Sequence, residues 1–243
     1  MRHFFDSTSF YIKEKLLEEG IPFVLKDKQV YLPFIGYLLS NENERKISPV
    51  HLISFLTQKV ILVAIYEKWE NVTASKAAIR LGVTKMSANR CFDEIEYLNV
   101  DILGMKGKSR VITVPADIQK LWNDVRVILR NPVIARYELK EDIQLGKKAG
   151  ITALCEYSLL SDNEYPTYAI TKKEITESGI RKMKQVHSGE EIGCVVLELG
   201  YFIDFKNKKL EDPLSVTLSL TESEKQDERI GISIKRMIVS NDL

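Results

Sequence analysis

Apolar residues recur along this chain at two spacings, every three to four residues in some segments and every second residue in others, and the changes between them outline its elements. Phe10, Ile12, Leu16 and Leu17 fall toward one face of a helix predicted over 8–19, with Gly20 placed where a helix would end. "PFVLKDKQVYLPF" reads as a hairpin, two apolar runs around a polar turn at 26–29. The polar stretch "SNENERKISP" at 40–49 predicts a loop and a module boundary. Leu52, Phe55, Leu56, Val60, Leu62, Val63 and Tyr66 then give a broad apolar face, which predicts a helix over 49–69. Thr73 suits the N-cap of a short helix at 74–81, Gly82 breaks it, and Thr84 caps a longer helix running to about 98. "DILGMKGKSRVITV" predicts a hairpin with a basic turn at Lys106-Gly107-Lys108 and an alternating strand at 111–114. Ile118, Leu121, Trp122, Val125, Ile128 and Leu129 have helical spacing within 115–129, and Pro132 ends that helix. Farther on, the pattern predicts a small helix near 148–160, strands at 167–170, 194–199 and 201–205, and a closing helix over 227–239.

This mixture predicts an α+β protein, and the order helix, short helix, glycine turn, longer helix, hairpin is that of a winged helix-turn-helix. The expected division is an N-terminal helix and hairpin segment (1–48), a central winged helix-turn-helix domain (49–130) and a C-terminal mixed α/β regulatory or interaction domain (131–243). With 243 residues and 44% hydrophobic content the chain is long enough for two or three such modules. Its 35 Lys+Arg against 34 Asp+Glu leave a net charge of +1, so any basic surface has to be local. Cys91, Cys155 and Cys194 are widely separated and form no CxxC or Cys/His cluster, which excludes the usual structural zinc spacings and a disulfide framework and fits a reducing cytoplasm. No run of about 18 apolar residues and no signal-like N-terminal segment occurs, so a cytoplasmic protein without membrane contact is expected.

Local charge is sorted. Between Thr73 and Phe92 the charged residues are Lys76, Arg80, Lys85 and Arg90, all cations, while Asp93, Glu94, Glu96 and Asp101 follow. The hairpin tip then restores Lys106, Lys108 and Arg110. A phosphate lattice favours this segregation, because cations that replace condensed counterions supply much of DNA affinity. Recognition helices present their N-terminal residues to base edges, which makes Lys85, Ser87, Asn89 and Arg90 the candidates for the major groove, with Asn suited to adenine and Arg to guanine. Thr73, Lys76 and Thr84 would touch phosphates, and Lys106, Lys108 and Arg110 would lie along the backbone or in the minor groove. Met86 and Cys91 read as core or near-surface filler, and His3, His51 and His187 are too scattered to assemble a site.

The stretch "TASKAAIRLGVTKMSANRCFDEIEYLNVDILGMKGKSRVITV" resembles the winged helix-turn-helix of MarR-type bacterial transcriptional regulators, over about a quarter of the chain. That resemblance implies a sequence-specific binder of a double-stranded DNA operator, a repressor in character. "AGITALCEYSLLSDNEYPTYAIT" and "LEDPLSVTLSL" resemble, more faintly, the second domain of abortive-infection antitoxins, winged-helix repressors that neutralise a partner toxin. A homodimer is expected from operator symmetry and from the apolar helix between Ile118 and Leu129.

Three other readings compete, one of them a pure protein-interaction module. A metal-dependent nuclease would need paired carboxylates such as Glu190 and Glu191, or Glu198 and Asp204 on neighbouring strand positions, but no lysine follows at the expected spacing. GxGxxG, GxxxxGK[ST], GxSxG and HExxH are all missing, so neither catalysis nor a cofactor is expected. A ligand-sensing repressor would line a small-molecule effector pocket with Tyr157, Tyr165, Tyr168, Tyr201 and Phe202, although aromatics at this density more often form core.

Overall fold

The computed structural model of the chain describes residues 3–5, 10–26, 29–35, 37–40, 52–161, 165–183, 185–187 and 189–243. The chain is α+β and divides into two compact units, Met1–Ile47 and Ser48–Leu243. In the first, β1 (His3–Phe5) runs parallel to β2 (Phe23–Leu25), with α1 (Phe10–Glu18) in the crossover that a parallel pair requires. β2 pairs antiparallel with β3 (Gln29–Leu32), and β3 with β4 (Tyr37–Ser40). The helix and hairpin predicted here are both present. The turn residues 27 and 28, and 41–49 of the predicted boundary loop, lie outside the described residues.

The second unit begins with α2 (Phe55–Tyr66), shorter than the predicted 49–69, whose first three residues also lie outside the described ones. Ser54 stops the helix from starting earlier: its Oγ accepts the Thr57 N–H at 3.1 Å. Next come β5 (Val72–Thr73), α3 (Ala74–Leu81), α4 (Lys85–Tyr97), β6 (Leu103–Lys106), β7 (Ser109–Ile112) and α5 (Ile118–Val125). The remainder comprises β8 (Val133–Leu139), β9 (Lys147–Lys148), α6 (Gly150–Tyr157), β10 (Thr167–Ile170), α7 (Lys172–Ser178), β11 (Cys194–Leu199), α8 (Pro213–Ser219), α9 (Glu222–Gln226) and α10 (Glu228–Ser240). Its sheet has the order β8-β11-β10-β9, with β10 and β11 parallel and the outer pairs antiparallel.

Two of the predicted strands, 167–170 and 194–199, have the predicted limits, because short apolar runs suit central strands buried on both faces. The predicted strand 201–205 is absent. Tyr201 and Ile203 are buried on alternate positions, which imitates a strand, but the segment pairs with no strand among the described residues. β8 was not foreseen: Arg136 and Glu138 interrupt its apolar run, and their side chains instead bond one another across the strand surface at 3.1 Å.

The second unit holds several hydrophobic clusters, and the largest is built around α2. It joins Val60 to Ile65 of α2, Ala77, Ala88, Phe92 and Ile95 of α3 and α4, and Leu121, Trp122 and Val125 of α5 to Tyr201, Ile203, Leu214, Leu218 and Ile238. The apolar stripe of α5, read from sequence as a dimer face, is therefore consumed inside the chain's own core. A buried polar seam accompanies this core. The Gln58 amide donates to Arg130 O and to Tyr201 Oη, each at 2.9 Å, and accepts the Arg130 N–H at 3.0 Å. Tyr66 Oη donates to Asp212 Oδ1 at 2.6 Å and accepts the Leu214 N–H at 2.8 Å. Burial pushes the Tyr66 phenol well up, so it stays a donor throughout the physiological range. No helix among the described residues is long and apolar enough to cross a membrane.

Candidate nucleic-acid interface

Local sequence builds the helix pair. Thr73 is extended, and its Oγ1 accepts the Lys76 N–H at 3.4 Å to start α3. Thr73 also pairs with Val111 in the sheet order β5-β7-β6, so the start of α3 and the hairpin are fixed to one another. Gly82 ends α3 in the left-handed region at φ 65°, where a side chain would be strained. Its N–H returns to Ile79 O at 3.3 Å and that of Val83 to Ala78 O at 3.0 Å, the paired bonds of a Schellman cap. Thr84 then opens α4, its Oγ1 accepting the Ser87 N–H at 3.1 Å and lying 2.9 Å from Ser87 Oγ. Buried Ala77, Ala78 and Ala88 let the two helices approach closely, and Phe92 and Ile95 fill the space beneath.

The hairpin closes with Lys106 opposite Ser109 around Gly107 and Lys108. Gly107 has φ 60° whereas Lys108 is not left-handed, the pattern of a type II′ turn, whose twist suits the flanking strands. Both lysines are exposed.

The structure distributes the candidate residues in three ways. Lys76, Lys85 and Arg90, with Lys106 and Lys108, are exposed and make no ion pair among the described residues. Thr73 and Thr84 are engaged in capping through their hydroxyls, the Ser87 hydroxyl contacts that of Thr84, and Asn89 is half-buried on α4. Arg110 departs from its expected place along a DNA backbone. Its side chain is only 15% exposed, and Nη1 lies 2.8 Å from Asp93 Oδ1 and 2.7 Å from Glu96 Oε2. Its guanidinium also stands 5.8 Å from the Phe92 ring centre. Arg110 thus ties the hairpin to the C-terminal half of α4. Glu94 is held too, its Oε2 accepting the Ser54 N–H at 2.9 Å. The three carboxylates of α4 are all drawn away from the end of the helix that carries Lys85 and Arg90. Arg80, by contrast, is bonded to Glu67 at 2.7 Å.

Met86, read from sequence as filler, is 66% exposed, and Arg90 Nη2 lies 3.8 Å from its Sδ. The signal was present: Met86 and Arg90 are four apart, out of phase with the buried Ala88, Phe92 and Ile95. Cys91 is buried as expected, and burial pushes its thiol up. His51 lies outside the described residues, and the His187 N–H is bonded to Glu190 Oε2 at 2.9 Å.

The alternative sites do not assemble as their readings require. Glu198 is buried and accepts Tyr137 Oη at 3.3 Å and Arg181 Nη2 at 3.2 Å, whereas Asp204 lies off the sheet, exposed and bonded to Lys147 at 2.9 Å. Glu190 is bonded to Lys140 at 2.6 Å. Tyr201 is buried, Tyr157 donates to Glu211 O at 3.0 Å, and Tyr165 and Phe202 pack against the cluster containing Val195 and Leu197. Tyr168 does line a cleft of about 790 Å³, together with Lys148, Thr152, Glu156 and Lys209. No family model, curated protein or solved structure matches this chain.

Proposed function

We propose that α3, α4 and the β6–β7 hairpin act as a winged helix-turn-helix that binds double-stranded DNA, with the start of α4 in the major groove and the hairpin tip on the adjacent backbone. The chain is then a cytoplasmic transcriptional regulator, a repressor working as a homodimer on a symmetric operator, as its resemblance to MarR-type regulators implies. The carrying observation is the sorting of charge in space: five cations on α3, α4 and the hairpin stand unpaired among the described residues, while Asp93, Glu94 and Glu96 are turned to partners of their own. An apolar stripe on α5 that is already buried leaves dimerisation to another surface.

Titration of a fluorescently labelled duplex across salt concentrations tests this reading. Affinity for duplex DNA is expected to fall steeply between 50 and 200 mM salt as released counterions lose their advantage, by a factor of about 10² or more. Weak binding that is indifferent to salt would exclude it.

A further inference from the structure

Met86 and Arg90 form the outermost line of α4. At 100° per residue the buried Ala88, Cys91, Phe92 and Ile95 share one side of the helix, and Met86 and Arg90 fall opposite them. Met86 packs into no core, and its thioether lies beside the Arg90 guanidinium. An unbranched, polarisable side chain fits small apolar features of varied position. In the major groove the base-pair edge offers such a feature at the C5 methyl of thymine.

We propose that Met86 is a specificity-determining residue that contacts a thymine methyl next to the base read by Arg90. This rests on the reading that α4 enters the major groove. Four residues advance about 6 Å along a helix, against about 3.4 Å per base-pair step, so the thymine lies within one or two steps of the guanine paired with Arg90. The preferred site therefore contains a T and a G in close succession. The arginine supplies hydrogen bonds that distinguish guanine, and the methionine distinguishes thymine from cytosine by the methyl group alone.

The test selects preferred duplexes from a random pool with the full chain, then replaces each thymine of the selected site by deoxyuracil, which removes only the methyl. One thymine within two base pairs of the guanine whose preference is lost in Arg90→Ala is expected to show about four-fold weaker binding on replacement, the worth of one buried methyl-sized group. Met86→Ala should bind the thymine and deoxyuracil duplexes equally, and Met86→Leu should keep the difference. Because Met86 is exposed, both variants are expected to melt with the parent. A methyl effect that persists in Met86→Ala, or its absence at every thymine, overturns the inference and leaves DNA binding standing. Failure to enrich any duplex removes both.

Discussion

Replacing Lys108 by alanine should take about one counterion out of the DNA-binding equilibrium, whereas replacing Arg110, two residues farther along the same hairpin, should take none. Each phosphate neutralised contributes about 0.9 to the slope of log affinity against log salt. With Lys76, Lys106 and Lys108 each covering one phosphate, the slope is about −2.7 per protomer, and affinity falls about 40-fold between 50 and 200 mM salt. Without Lys108 the slope becomes about −1.8 and the fall about 12-fold. Arg110 is already neutralised by Asp93 and Glu96 at 2.8 and 2.7 Å, so Arg110→Ala is expected to keep the parent slope. Its cost appears in folding instead. The two carboxylates lose a mostly buried partner, which destabilises by about 1–3 kcal/mol, discounted for their partial exposure. Fluorescence anisotropy at a series of salt concentrations gives the slopes, and urea unfolding gives the stabilities. If Arg110→Ala flattened the salt slope as much as Lys108→Ala, the assignment of Arg110 as an internal strut would be wrong.

Arg90→Ala should act differently from both, reducing the preference for the selected site over unrelated duplexes by about 5- to 150-fold, which corresponds to about 1–3 kcal/mol of lost base discrimination. Competition binding checks it, and equal loss on all duplexes would make Arg90 a phosphate contact. Burial pushes the Glu211 carboxyl up to about 8, and Asp212 beside it is also raised by burial. Between about pH 4.3 and 8 the folded chain keeps a proton at Glu211 that the unfolded chain has released, so stability falls as pH rises through that window. Glu211→Gln, which resembles the protonated acid, is expected to lose less of its Tm between pH 5 and 8 than the parent; parallel declines would refute this. Gly200 tolerates no Cβ, since one would lie 2.5 Å from the Phe55 ring, and Gly200→Ala should therefore destabilise by about 1–3 kcal/mol in urea unfolding. An unchanged midpoint would mean that Phe55 moves aside freely, despite the Arg130 guanidinium stacked 3.9 Å above its ring.

What the sequence determined by itself is what local forces decide. Thr73, Gly82 and Thr84 mark the limits of α3 and α4 because a cap bonds only to residues a few positions away, and its geometry needs no distant partner. The hairpin tip followed from Gly107, and the two central strands from compact apolar runs. Tertiary structure decided everything that depends on a partner far along the chain. Arg110 looked like one more free cation until the hairpin register placed it against carboxylates 14 and 17 positions earlier. The same holds for α5, whose periodicity reports an apolar face without saying which surface covers it. At 201–205 the alternation was real, yet a strand exists only when a neighbour supplies its hydrogen bonds. Glu211 sits in an ordinary-looking polar pair in the sequence, and only the closure of α6 and α8 around it makes it a buried acid, bonded to the Gly150 N–H at 3.0 Å. Periodicity and capping act within a few residues, whereas charge neutralisation and desolvation depend on which segments meet.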